Sequence, residues 1–223
     1  MINVVYASAY LLITFVITLL AYKFFGKEGL YVWICLSIIV SNIQSVKLIE
    51  LLGMTTILGN VAYSSIYLAT DILTEQYGKE SANKSVLYGF LTLLTFTLLM
   101  SFSLFYVPSV YDASDEHLLA LFRIIPRISL ASLTAFLISQ YLDIFLFVKL
   151  KSSFNKLWLS NNGGTITSQL VDTTVFVFIG YYGLVPNREL FSMGATMYLL
   201  KVIIALCDTG FLYVAKGIKV RES

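Results

Sequence analysis

Apolar residues run through this chain in long blocks, separated by short polar clusters. Met1 to Tyr22, Leu51 to Thr70 and Ser85 to Tyr111 contain no Asp, Glu, Lys or Arg, and about 20 such residues span a bilayer as a helix. The breaks "FFGKEG", "LLGM", "QYGKESANK", "VPSVYDASDEH", "KSSFNKLWLSNNGG" and "VPNRE" gather Gly, Pro, Asn and Ser, as connections require. The pattern predicts about seven spans, at roughly 2–22, 29–50, 54–76, 84–107, 126–149, 164–183 and 190–214. A β-barrel would instead need alternating segments of about 10 residues. The expected fold is an all-α, polytopic transmembrane helical bundle, with residues 1–223 forming one integral membrane domain. The first segment lacks the basic flank and small-residue cleavage site of a signal peptide and is read as retained.

Composition strengthens this picture. The chain is 58% hydrophobic and 13% charged, with a mean hydropathy of +0.82, whereas soluble domains carry about 25% charge. With so little polar surface it cannot cover its own apolar residues in water. Cys35 and Cys207 sit in apolar context and read as small buried hydrophobes. Neither a disulfide framework nor a metal site is expected, and no cofactor.

Charge sets the expected orientation. Lys23, Lys27, Lys79, Lys84, Lys149, Lys151, Lys156, Lys216, Lys219 and Arg221 fall on one side of the predicted spans, and Arg123, Arg127 and Arg188 on the other. A cytoplasmic excess of Lys and Arg places the C-terminus inside the cell and the N-terminus outside, in the cell membrane. The net charge of +2 then reflects topology, and no nucleic-acid partner is inferred. The expected partners are the lipid bilayer and a small molecule, and assembly as a homo-oligomer stays open.

Several polar side chains stand inside these spans. Asp143, Asp172 and Lys201 lie well within them, and Asp71 lies nearer a boundary. A charge facing lipid at a helix centre costs about 2.5–3.5 kcal/mol, so such groups are expected to face the bundle interior or a wet cavity. Asp71 and Asp143 fall toward the cytoplasmic ends of their helices, where an interfacial position is open to them. Two of the acidic residues belong to a near-repeat, "SQYLDIFLF" from Ser139 and "SQLVDTTVF" from Ser168. In each copy Ser and Asp are four apart and Gln and Asp three apart, so the three side chains share one helical face. Each strip offers a carboxylate, an amide and a hydroxyl. Facing one another, two strips would suit a flat polar heterocycle with several N–H donors. The plainer reading is that Ser and Gln join helices and that Lys201 is a counter-ion to one aspartate. His117, in an acidic loop, is expected to be solvated.

Taken in order, "SNIQSVK", "LATDILTEQYGKESA", "SQYLDIFLF", "SQLVDTTVFVFIGYYG" and "YLLKVIIAL" resemble the queuosine-precursor transporters, a prokaryotic membrane family also described as vitamin-uptake transporters. The resemblance covers residues 40–205. It implies a six-helix core, to which this chain adds a helix at its N-terminus. It also implies a central site around Asn42, Asp71, Gln140, Asp143, Gln169, Asp172 and Lys201. The implied substrates are 7-deazaguanine bases bearing a cyano or aminomethyl group, or queuine, with Tyr67, Phe176 or Tyr141 available to stack on the ring. A carboxylate can accept the paired N–H donors of such a base.

The expected activity is therefore uptake, by a secondary and proton-coupled importer. An alternative is a substrate-binding subunit of an ATP-driven importer, since the chain itself carries no G-x-x-x-x-G-K-[ST]. A structural membrane subunit is a third class. An enzyme is not expected, because H-E-x-x-H and G-x-S-x-G are both absent.

Overall fold

A computed structural model describes residues 2–51, 53–122, 125–184 and 186–220. Among them are six helices, α1 (Ile2–Gln44), α2 (Gly59–Ser103), α3 (Asp115–Phe122), α4 (Ile125–Phe154), α5 (Leu157–Tyr181) and α6 (Asn187–Gly217). Four of these segments, Ile2–Gln44, Gly59–Ser103, Arg127–Phe154 and Asn187–Gly217, are long and apolar enough to cross a membrane. Many large apolar side chains point outward, among them Leu12, Phe25, Leu99, Phe191 and Leu206, as a multi-pass membrane protein requires of its lipid-facing surface.

Helix α1 is 43 residues long, and a straight helix of that length would measure about 65 Å. Yet Tyr10 and Gln44, near its two ends, exchange hydrogen bonds of 2.9 and 3.1 Å. The helix therefore folds back on itself, and the reversal is at Gly26, whose φ of 56° and ψ of −134° are non-helical. Helix α2 does the same at Gly78, with φ 80° and ψ 169°, a conformation essentially restricted to glycine. Tyr63 and Leu93, one from each arm of α2, line a common cavity. Both reversals fall where the sequence punctuation predicted a break.

Three expectations are corrected. The span predicted at 29–50 ends at Gln44, and residues after it form an antiparallel hairpin, β1 (Leu48–Leu51) and β2 (Met54–Ile57). Leu48 pairs with Ile57 and Leu51 with Met54, with Gly53 at φ 78° in the turn. The short ladder satisfies backbone groups that a helix end would leave unpaired. The span predicted at 164–183 begins at Leu157, so "NNGG" (161–164) is helical and not part of the break. Finally, Cys207 is exposed and Cys35 half-buried, so neither is a core residue.

The elements have a clear up-and-down order. At one end Gly26 approaches Val220 and Tyr77, and Lys151 and Lys216 both bond Glu75, at 3.1 and 3.2 Å. This end gathers basic residues from four helices. Arg221 and Arg123, two of the charges used above for orientation, lie outside the described residues. At the opposite end Asn3 bonds the Glu50 carbonyl, and Arg127 donates to the carbonyls of Ile179 and Tyr182. Apolar side chains fall into two clusters. The larger joins α1, α2, α4 and α6 around Phe15, Ile66 and Phe136, and the smaller gathers Ala135, Phe176 and Met197.

Candidate functional site: a polar column in the bundle

Between the two apolar clusters lies a cavity whose empty space, open solvent at its mouth included, is about 460 Å³. Five helices shape it. Ser41 and Asn42 come from α1, Asn60 and Tyr63 from α2, Phe136 from α4, Asp172 and Phe176 from α5, and Met197 and Lys201 from α6. Close approach at its rim depends on Gly59, where a Cβ would fall 2.3 Å from the Ser41 carbonyl oxygen. The space open to the centres of water-sized molecules is about 40 Å³, so the cavity is narrow.

Asp172 stands at its base. Its Oδ2 accepts from Lys201 Nζ at 2.5 Å, and its Oδ1 accepts from the Tyr63 hydroxyl at 2.8 Å and the Ser139 hydroxyl at 3.0 Å. Lys201 also lies 5.3 Å from the centre of the Tyr63 ring, a cation–π distance. Both members of the ion pair are buried. The counter-ion reading of Lys201 is correct, and its partner is Asp172.

The two Ser-Gln-x-x-Asp strips do face one another, on antiparallel α4 and α5. Ser139 of the first donates to Asp172 of the second, and Ser168 of the second donates to Asp143 of the first at 2.9 Å. The exchange is reciprocal, related by a local two-fold axis between the helices. Gly164 makes the approach possible, since a Cβ there would lie 3.3 Å from the Asp143 carbonyl and carboxylate oxygens.

The two aspartates then differ in company. Among the described residues Asp143 has no ion-pair partner. Its carboxyl lies within hydrogen-bonding reach of that of Asp71, whose Oδ2 accepts from Thr165 at 3.3 Å. Further toward the basic end, Asn161 donates to Asp208 at 2.7 Å. Asp71, Asp143 and Asp208 are all buried, so the first two face the bundle interior and not solvent. Tyr67 belongs to the Asp172 level, its hydroxyl donating to Ser139 at 2.9 Å.

Of the seven residues singled out in the sequence, Asn42, Asp172 and Lys201 line the cavity. Asp71 and Asp143 lie deeper and apart from its walls. Gln140 is buried between the levels, its Oε1 accepting from Thr70 while its Nε2 has no partner. Gln169 is buried with its Oε1 unpartnered. Of the aromatic candidates, Phe176 lines the cavity, Tyr67 is engaged with Ser139, and Tyr141 is exposed. Sequence reasoning missed Asn60, Tyr63 and Asn161. The first two share a helical face at i and i+3, but an Asn and a Tyr near a span end also suit the membrane interface.

The family described as putative vitamin uptake transporter matches residues 57–215. A probable queuosine precursor transporter of Bacillus subtilis (strain 168) is 41% identical over 208 residues, covering 92% of this chain and 91% of that one. The queuosine precursor transporter of Escherichia coli (strain K12) is 30% identical over 148 residues, 66% of this chain and 65% of that one. No solved structure matches. With nine-tenths of its length aligned to one such relative, and the stretch from α2 to α6 matched as a unit, the chain belongs to the queuosine-precursor (vitamin-uptake) transporter family.

Proposed function

We propose that this chain imports queuosine precursors, the 7-deazaguanine bases bearing a cyano or aminomethyl group or queuine itself, as a secondary, proton-coupled transporter of the cell membrane. The observation that carries this reading is the Asp172–Lys201 pair at the base of a cavity walled by Asn42, Asn60 and Phe176. A 2-aminopyrimidinone edge presents adjacent N–H donors. A buried carboxylate accepts such a pair strongly, because charge-assisted hydrogen bonds are about twice as strong as neutral ones. Asp172 is already engaged by Lys201, Tyr63 and Ser139, so an arriving base competes with the first two for its oxygens. The amides of Asn42 and Asn60 suit the ring carbonyl, and Phe176 supplies an apolar face for stacking. An aminomethyl cation would compete with Lys201 for Asp172. Gln140 and Gln169 support this site from beside it, while Asp71 and Asp143 lie outside its walls.

Each arm of α1 and α2 is long enough for one crossing, which with α4, α5 and α6 makes seven. The basic end faces the cytoplasm in this reading, so the cavity mouth, beside the hairpin, faces outward. The names of the relatives support the substrate class. The test is thermal stabilisation of the purified protein by a panel of 7-deazaguanines, queuine and guanine. Selective stabilisation is expected with at least one deazaguanine. Asp172→Asn and Phe176→Ala should each weaken that binding tenfold or more, about 1.4 kcal/mol or above. Stabilisation by none of these bases would exclude the substrate class.

A further inference from the structure

We infer that the Asp71–Asp143 carboxyl pair, with Asp208 and Asn161 beside it, is a proton-carrying site distinct from the substrate cavity. The inference rests on the uptake reading and assigns its coupling to particular atoms.

The polar column carries more negative groups than its cations can balance. Lys201 is committed to Asp172, and Lys151 and Lys216 to Glu75 at the rim. Asp71, Asp143 and Asp208 are left, all buried. Facing them are Tyr67 and Glu75 from α2, Thr165 and Ser168 from α5, and Lys216 beyond Asp208 on α6. None of the buried residues of α1 is acidic, basic or histidine. Two carboxylates within hydrogen-bonding reach of each other and of no cation cannot both ionise.

The second observation concerns donors. Asp71 Oδ1, Asp143 Oδ2 and Asn161 Oδ1 are buried without a hydrogen-bond donor among the described residues. All three are acceptors, so what the cluster lacks is hydrogen. A proton on either carboxyl supplies a donor and removes a charge in one step. Among the described residues no group of three or more His, Cys, Asp or Glu could hold a metal ion, and a proton is the ligand that brings the missing donor. The pair lies between the cavity and the basic rim, and α5 carries both the residues that bond it, Thr165 and Ser168, and Asp172 one turn further on. In transport a proton from the outer solution binds one carboxylate oxygen, forming a carboxylic acid, and is later released to the inner solution as the carboxylate reforms. No bond other than O–H changes.

The test has two arms. In the purified full chain without base, infrared difference spectra against pH should contain the carbonyl band of a protonated carboxyl, which Asp143→Asn or Asp71→Asn abolishes or shifts. In liposomes carrying the full chain and a trapped pH dye, 7-cyano-7-deazaguanine should acidify the interior, and an alkaline interior should raise uptake several-fold. Both effects should vanish in the two variants, while the base still stabilises them thermally and exchanges across the membrane without a gradient. Base uptake without proton movement, or proton movement surviving in both variants, would overturn the inference. So would a carboxyl band unchanged by either substitution. A titrating band without uptake of any base would instead overturn the substrate reading and leave the proton-binding pair in place.

Discussion

Asp143 and Asp172 begin with the same local chemistry, a serine one turn before each and a serine across from each, and end with different partners. Lys201 makes the difference. Removing one member of a buried ion pair strands the other and typically costs about 3–5 kcal/mol. Lys201→Met should therefore lower thermal stability sharply, and adding Asp172→Leu should restore much of it while leaving no base binding. The serines should separate the two levels. Ser139→Ala and Ser168→Ala each remove a buried donor, at about 1–3 kcal/mol. Ser139→Ala should also weaken base binding through Asp172, whereas Ser168→Ala should spare binding and alter the pH dependence of uptake. Denaturation curves with binding isotherms on the four variants check both statements. The repeat and the face it forms were legible in the sequence, because i and i+4 spacing determines which side chains share a face. The partner of each strip was not, because which helix faces which depends on packing around Gly164 and on the fold-back of α2.

Two glycines shape the elements in different ways. A methyl group added to Gly78 would meet no neighbour within 4 Å, yet the residue's φ is 80°. An alanine there meets backbone strain alone, about 1–3 kcal/mol. Gly59 meets the opposite problem, since an added Cβ would sit 2.3 Å from Ser41 O and 2.5 Å from Ser45 Oγ. Gly78→Ala should lower the melting temperature by several degrees and leave affinity unchanged. Gly59→Ala should spread α1 from α2 at the cavity rim and lose both stability and affinity. Melting curves with and without 7-cyano-7-deazaguanine distinguish the two. The reversals were readable from punctuation, as Gly beside Lys and Glu interrupts an apolar block at Gly26 and again at Gly78. The hairpin was not. "SVKLIELLGMTTI" keeps the hydropathy of a span end, and nothing local says that its backbone pairs with itself instead of continuing a helix. The early start of α5 was hidden for the converse reason, because "SNNGG" reads as a turn unless a neighbouring Asp208 and Thr209 are there to bond its asparagines.

At the scale of the molecule the basic end and the cavity mouth are opposite. With Cys35 and Cys207 replaced, a cysteine placed at Lys27, Lys79 or Asn155 should react with an impermeant thiol reagent only from the cytoplasmic side. One at Ser109 should react only from outside. Labelling in intact cells against inverted vesicles decides this, and the reverse pattern would invert the cavity as well. That the chain is a multi-pass helical membrane protein was legible as apolar length. The division of the buried charges into a paired level and an unpaired one could not be read without the bundle itself.

The reciprocal serine–aspartate exchange also bears on biosynthesis. Between α4 and α5 only Asn155 and Lys156 intervene, so the two helices leave the ribosome as one antiparallel hairpin, before α6 exists. Each brings an aspartate that lipid would penalise, and each brings the hydroxyl that the other's aspartate needs. Paired, the two helices turn these polar groups inward on each other without any residue of α6. Lys201 arrives later and takes up a carboxylate already held in place, so the order of synthesis never requires Asp172 to wait alone in the membrane for its cation.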